Sequence, residues 1–328
     1  MGAGARFRIE TLTNAFQVVC AAERLLTMPV NMTITPDLVQ KVLGMWNIAP
    51  DHVSLIKAKG NTHWRVQLGR EAFVLRMYRR GQTDSSIKYE LDILRRLHDR
   101  GWPVAAAVDD VVWREGSAFV LFPLLPGHPH MPENDQRRRQ RGRILAELHC
   151  ELGALAGLGQ RSGWRQVDEV VMEDERRRDQ GCERTLNISR PDLFRSVVRH
   201  LEGVRDRLWA VGASHLPVTV VHGDLIAQNL LFLDGTLSGV LDFDSAHLDL
   251  RAVDVACARR SRYDEVARGY LEVIPLSDEE LGCLDDLWRA NVLRYALRLL
   301  DCETTTDVAI SELEWCVAQL EKTRPFQS

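Results

Sequence analysis

The chain has no apolar run of the roughly 18 residues a helix needs to cross a bilayer, no low-complexity linker and no internal repeat. Phe16 to Val30 comes nearest to a signal sequence, but Glu23 and Arg24 interrupt it and no cleavage site follows. Paired cysteines are absent too. Cys20, Cys150, Cys182, Cys257, Cys283, Cys302 and Cys316 are scattered without a C-x-x-C, which suits reduced thiols and offers no metal-thiolate cluster. Neither sign of charge dominates: 42 Lys and Arg stand against 46 Asp and Glu, a net charge of −4. Nothing in that balance calls for a nucleic acid or an anionic membrane as partner. The expectation is a cytoplasmic protein without either partner; its oligomeric state is left open.

What is present suits a folded enzyme. With 328 residues and 45% hydrophobic side chains, the chain can bury about three quarters of its unfolded surface in one large or two medium domains. The most informative stretch runs from His222 to Asn229 (HGDLIAQN), followed thirteen residues after Asn229 by Asp242-Phe243-Asp244. An aspartate, an asparagine after four intervening residues, and an aspartate at the end of an apolar strand repeat the arrangement of base and metal ligands used in phosphoryl transfer. That chemistry needs a carboxylate to orient a hydroxyl, hard oxygens to hold Mg²⁺ against phosphates, and exclusion of water. Pro217 to Val221 reads as a buried strand entering the loop. Leu230 to Leu233, the turn Asp234-Gly235, and Leu237 to Leu241 read as a hairpin, so one pocket can receive Asp224, Asn229 and Asp242.

From Val218 to Ala258, in HGDL, NLLF, GVLDFDSA and the later Val253-Asp254-Val255-Ala256, the chain resembles the aminoglycoside phosphotransferase-like small-molecule kinases, which include choline, homoserine and fructosamine kinases. The likeness continues, in order but more weakly, from about Val53 to Glu151. It implies a protein-kinase-like two-lobed α+β fold: an antiparallel β N-lobe with one helix, then a mainly helical C-lobe. Asp224 would be the catalytic base, and Asn229 and Asp242 the Mg²⁺ ligands, with Asp244 as fallback. Asp254 would brace the catalytic loop and His222 would be structural. ATP, or GTP, would be the phosphate donor and a small molecule the acceptor.

The region before this motif reads as a nucleotide-binding lobe. Residues 1–31 are either an N-terminal helix or an extension upstream of a start at Met28 or Met32. Thr35 can cap a helix begun by Pro36, with Leu38, Val39, Val42, Leu43 and Trp46 as its apolar stripe. Val53 to Ile56, Trp64 to Leu68 and Ala72 to Arg76 read as strands. Lys57 to His63, with Gly60 and Asn61, would lie over the phosphates, although G-x-G-x-x-G is missing. Arg76 takes the place of the phosphate-pairing cation on the third strand, and Glu90, in a helix from Ser85 to Asp99, the place of its partner; a surface ion pair is the plain alternative. Arg binds phosphate bidentately, so the change from lysine leaves that contact open. Ala118 to Gly127 reads as a strand ending in a hinge, where the Pro123 carbonyl and the Leu125 N–H would hold adenine. The lobes would span 32–125 and 126–328.

Beyond the hinge, Gln136 to Leu152, Asp192 to Trp209 and Asp278 to Leu320 carry helical periodicity. Arg137, Arg138, Arg139, Arg141 and Arg143 form a run that is ordinarily a solvated face, the alternative being a docking patch for acidic ligands. His149 reads as a packing residue and Glu173 to Arg178 as an exposed helix or loop. From Leu276 to Ser328, eleven acidic residues face five basic ones, which points to an amine-bearing alcohol such as an aminoglycoside-like antibiotic as acceptor, or simply to solvated helix faces. A homoserine- or choline-type metabolite kinase is the alternative within the class, and a non-catalytic nucleotide-binding module the alternative outside it. Gly223 replaces the arginine of H-R-D, A-P-E is missing, and only eleven residues separate Asp242 from Asp254. Together these disfavour a protein kinase.

Overall fold

The computed structural model describes residues 36–58, 60–177, 190–300, 307–323 and 326. The expectations for residues 1–31 and for Thr35 as a cap lie outside them. Helix α1 (Pro36–Met45) is followed by β1 (His52–Lys57), β2 (Thr62–Leu68), β3 (Glu71–Met77), α2 (Asp84–Asp99), β4 (Val112–Arg114) and β5 (Ser117–Pro123). These strands form one antiparallel sheet in the order β1-β2-β3-β5-β4.

Strand β5 is apolar without interruption because both of its faces are covered. Successive side chains of a strand point to opposite faces. Phe119 and Leu121 pack with Leu38, Val39, Val42 and Leu43 of α1, while Ala118, Val120 and Phe122 join the larger core with Ile87, Ile93, Leu94 and Leu97 of α2. Helix α1, expected from its apolar stripe, therefore lies on the sheet face opposite α2. Thr83 caps α2, its hydroxyl accepting from Ser86 N at 3.2 Å.

The remainder is mainly helical: α3 (Asp135–Gly153), α4 (Val167–Arg177), α5 (Pro191–Ala210), α6 (Arg251–Arg259), α7 (Asp264–Leu271), α8 (Asp278–Leu300) and α9 (Asp307–Lys322). Among them lie two small antiparallel ribbons, β6 (Val218–Val221) with β9 (His247–Leu250), and β7 (Leu230–Leu233) with β8 (Thr236–Val240). Asp234 and Gly235 both adopt positive φ, 50° and 81°, as the tight Asp-Gly hairpin requires. Helices α3 and α7 approach at Gly142 and Gly269, where an added Cβ would come within 1.9 Å of the carbonyl oxygens of Val266 and Arg139. Only glycine admits that spacing; α3 also packs on β6, the strand that leads into the HGD motif. Among the described residues no helix is long and apolar enough to cross a membrane.

Candidate active site

The loop after β6 is held by a buried carboxylate. Asp254, on α6 and fully buried, accepts from His222 N at 2.6 Å and from Gly223 N at 3.0 Å. His149 on α3 bridges Asp254 Oδ2, at 3.0 Å, and the Tyr270 hydroxyl, at 2.9 Å. Burial opposes ionisation of Asp254, but the His149 hydrogen bond, its charge and the loop N–H groups outweigh that and hold the carboxyl below the usual range. His222 is buried and its pKa is lowered by burial. Its Nδ1 accepts from Asp224 N at 3.3 Å, so Nε2 carries the proton and donates to Leu241 O at 3.0 Å. The ring thus ties the Asp224 loop to the strand leading into Asp242.

Gly223 has φ 81°, and a Cβ there would stand 2.7 Å from Ser245 O. No arginine fits at this position. Asp242 is itself in the left-handed region, φ 68° and ψ 61°, an uncommon conformation that aspartate tolerates better than most residues.

Asn229 donates from Nδ2 to Asp224 O at 2.9 Å, which leaves its side-chain oxygen for the cleft. Asn229 and Asp242 line a cavity of about 370 Å³, together with Lys57, His63, Arg76, Glu90, Leu231, Phe243 and the Phe122–Leu125 segment. Burial, then the charge of Asp244, pushes the Asp242 carboxyl upward. The charges of Arg76, Lys57 and Arg79 oppose that rise. Among the described residues no group of three or more His, Cys, Asp or Glu is placed to hold a metal ion. A metal here would take one carboxylate and one amide oxygen from the protein and the rest from phosphates and water, the habit of Mg²⁺.

Arg76 and Glu90 are paired at 2.7 Å, and Glu90 is fully buried, so the pair is internal to the cleft and not a surface one. Burial, then Asp244, pushes the Glu90 carboxyl up to about 7 against the pull of Arg76. The same Arg76 Nη1 donates to Asp244 Oδ1 at 2.7 Å, and Asn61 Nδ2 donates to Asp244 Oδ2. Both oxygens of Asp244 are engaged, which makes it a partner of Arg76 and a poor fallback for metal. Asn61, whose Oδ1 also accepts from Arg79 N at 3.0 Å, and Gly60 are not among the residues lining the cavity. Pro123 and Leu125 do line it.

Two buried arginines were not legible as part of the site. Arg161 is 1% exposed; it donates to Ser86 Oγ on α2 and to the carbonyls of Asp244, at 2.7 Å, and Ala246, at 3.1 Å. Arg141, from the run expected to be solvated, is 3% exposed. It pairs with Glu133 and donates to Leu225 O and Ala258 O at 3.1 and 2.8 Å. Its surroundings, not its neighbours in sequence, decide its role.

Asp224 is the head of this arrangement. Its side chain is 13% exposed and faces Arg260 at 3.7 Å. Burial pushes its carboxyl up to about 8; Arg260 opposes the shift, and Asp242 and Asp254 add to it. Of the eleven carboxylates in the segment expected to receive an amine, four pair with arginines: Glu280 with Arg251, Asp285 with Arg259, Asp286 with Arg207 and Arg289, Glu314 with Arg190. Asp301 and Glu303 lie outside the described residues.

The chain is 27% identical over 308 residues to a homoserine kinase of Rhizobium etli, covering 85% of this chain and 91% of that protein. It is 30% identical over 267 residues to a homoserine kinase of Rhodospirillum rubrum, covering 74% and 77%. Among solved structures, a microcompartment-associated aminopropanol kinase superposes with a TM-score of 0.62 at 18% identity, covering 87% of this chain and 95% of that one. A spectinomycin phosphotransferase in complex with ADP and spectinomycin superposes with a TM-score of 0.63 at 13% identity, covering 89% and 99%. Residues 56–279 match the model of the APH phosphotransferase enzyme family. The chain belongs to that family and is a small-molecule kinase.

Proposed function

We propose that this kinase moves the γ-phosphate of ATP to the hydroxyl of a small amine-bearing alcohol of the homoserine type, in the cytoplasm. The observation that carries the reading is the placement of Asp224, partly buried and facing Arg260 at 3.7 Å, beyond hydrogen-bond reach, beside a cavity lined by Asn229 and Asp242. Asp224 orients the acceptor hydroxyl and takes its proton as the phosphate arrives. Asn229 and Asp242 would hold Mg²⁺, which when bound neutralises charge on the β and γ phosphates. Arg76, fixed by Glu90 and Asp244, faces the phosphates, with Gly60 and Asn61 in the loop above. The Pro123 carbonyl and Leu125 N–H hold adenine at the hinge between lobes 32–125 and 126–328. GTP fits the same backbone contacts less well, because its ring edge reverses donor and acceptor.

Within the amine-bearing class, the curated relatives, named homoserine kinases and matched over most of their length, favour the homoserine type. The aminoglycoside-like reading draws on the acidic segment after Leu276, of whose carboxylates Glu280, Asp285, Asp286 and Glu314 are engaged with arginines. A non-catalytic module is disfavoured by the presence of Asp224, Asn229 and Asp242 around one cleft. An acceptor screen reading ADP release across homoserine, choline, sugar amines and aminoglycosides tests the reading. Turnover with homoserine supports it, and turnover confined to aminoglycosides contradicts it.

A further inference from the structure

Arg260 closes α6 in the left-handed conformation, φ 53° and ψ 38°, its N–H returning to Ala256 O. This backbone turns the side chain toward Asp224, where Nη2 stops 3.7 Å from Oδ1, beyond hydrogen-bond reach. Nη2 is buried without a hydrogen-bond partner, and the side chain as a whole is only 12% exposed. A guanidinium has five N–H donors and no acceptor. Buried donors of that kind ordinarily find partners, and Nη2 has no hydrogen-bond acceptor within reach, Asp224 being its facing carboxylate at 3.7 Å.

Burial lowers the Arg260 pKa, Asp224 opposes that, and Arg141 and Arg262 add to the lowering. Arg138 and Arg262 both stand over the Tyr263 ring, at 4.6 and 4.7 Å. The wall beside the base is therefore basic. Asp224 is not among the residues lining the nucleotide cavity. An acceptor whose hydroxyl touches Asp224 lies outside that cavity, on the side where Arg260 stands.

We infer that Arg260 receives an anionic group of the acceptor, a carboxylate, and so selects a hydroxylated amino acid over an amino alcohol or a polycationic antibiotic. The inference rests on the proposed phosphotransfer at Asp224. The planar fork of arginine matches a carboxylate bidentately. The acceptor's amine then needs no dense acidic patch, in keeping with the engaged carboxylates after Leu276. The same fork would also suit the γ-phosphate, and the experiment separates the two sources of negative charge.

The test titrates the protein, with ADP and Mg²⁺ present, with homoserine and with 3-aminopropanol, which is the same amino alcohol without the carboxylate. Wild-type protein is expected to bind homoserine at least about tenfold more tightly. Arg260→Gln is expected to lose about tenfold to a hundredfold in homoserine affinity, the usual effect of removing a hydrogen bond to a charged group, and to leave 3-aminopropanol unaltered; Arg260→Lys recovers part of the loss. Equal binding of the two ligands by wild-type protein, or binding of neither, overturns the inference without need of any variant. An Arg260→Gln variant that binds both ligands normally but turns both over more slowly by one factor also overturns it, because the fork then serves the γ-phosphate. ADP release is read separately: a protein that binds homoserine through Arg260 yet releases no ADP upholds the inference and fails the kinase reading.

Discussion

Arg76 Nη1 lies 2.7 Å from Asp244 Oδ1, across 168 positions of sequence. The contact joins β3 to the turn that carries Asp242, and a second bond from the same nitrogen reaches Glu90 on α2. One cation thus collects the sheet, the helix and the turn that carries Asp242 around the cleft. The two acids of D-F-D have different work: Asp242 faces the cavity and Asp244 faces Arg76.

Asp242→Ala and Asn229→Ala should weaken Mg²⁺·ATP binding and move the Mg²⁺ optimum upward, because each removes a hard oxygen from an ion that accepts few substitutes. Asp244→Ala should raise KM for ATP through a displaced Arg76 and leave the Mg²⁺ optimum in place. Mg²⁺ titrations of the three variants separate these outcomes. A shifted optimum for Asp244→Ala alone would reassign the metal site.

Arg161→Met should destabilise the protein by about 1–3 kcal/mol, the usual cost of leaving buried acceptors unpaired, because Glu90 keeps Arg76. Glu90 stays buried, with its Oε2 3.7 Å from the lost Arg161 Nη2, and the carbonyls of Asp244 and Ala246 lose their donor. Denaturant unfolding gives the number. A change under about 1 kcal/mol, the ordinary surface range, would mean that the turn is held without it.

The catalytic motif was legible because its chemistry is local. Asp224, Asn229 and Asp242 sit on one loop and one hairpin, and the Asp-Gly turn announces the hairpin. Arg76 and Glu90 followed from strand and helix order. Arg161 and Arg141 were not legible, since their partners come from distant segments and a run of arginines looks solvated. The acidic balance after Leu276 has a related limit: composition counts charges but not the arginines that meet Glu280, Asp285, Asp286 and Glu314. Helix α1 was visible as an amphipathic stripe, whereas its place on the outer sheet face depends on the double-sided burial of β5.

Gly223→Ala should lower Tm and abolish most turnover. A left-handed φ costs a non-glycine residue roughly 1 kcal/mol, and the new methyl would meet Ser245 O at 2.7 Å, displacing the loop that carries Asp224. Thermal melting and kcat together check this. Wild-type values for both would show that the loop has room to move.

The acid limb of kcat/KM should report Asp224, which must be unprotonated to accept the hydroxyl proton. Burial raises its pKa and Arg260 opposes the rise. Removing that positive charge in Arg260→Gln leaves the rise less opposed, so the limb moves to higher pH. A limb that stays in place, or moves down, would show that another group controls it.

The account stands most directly on Asp224→Asn, assayed by ³¹P detection of the phosphomonoester formed from Mg²⁺·ATP and homoserine. The variant is expected to fold and to bind ATP as the wild type does, while product formation falls by about 10² to 10⁴, the range for loss of a general base. Product formed by the variant at the wild-type rate would contradict the account.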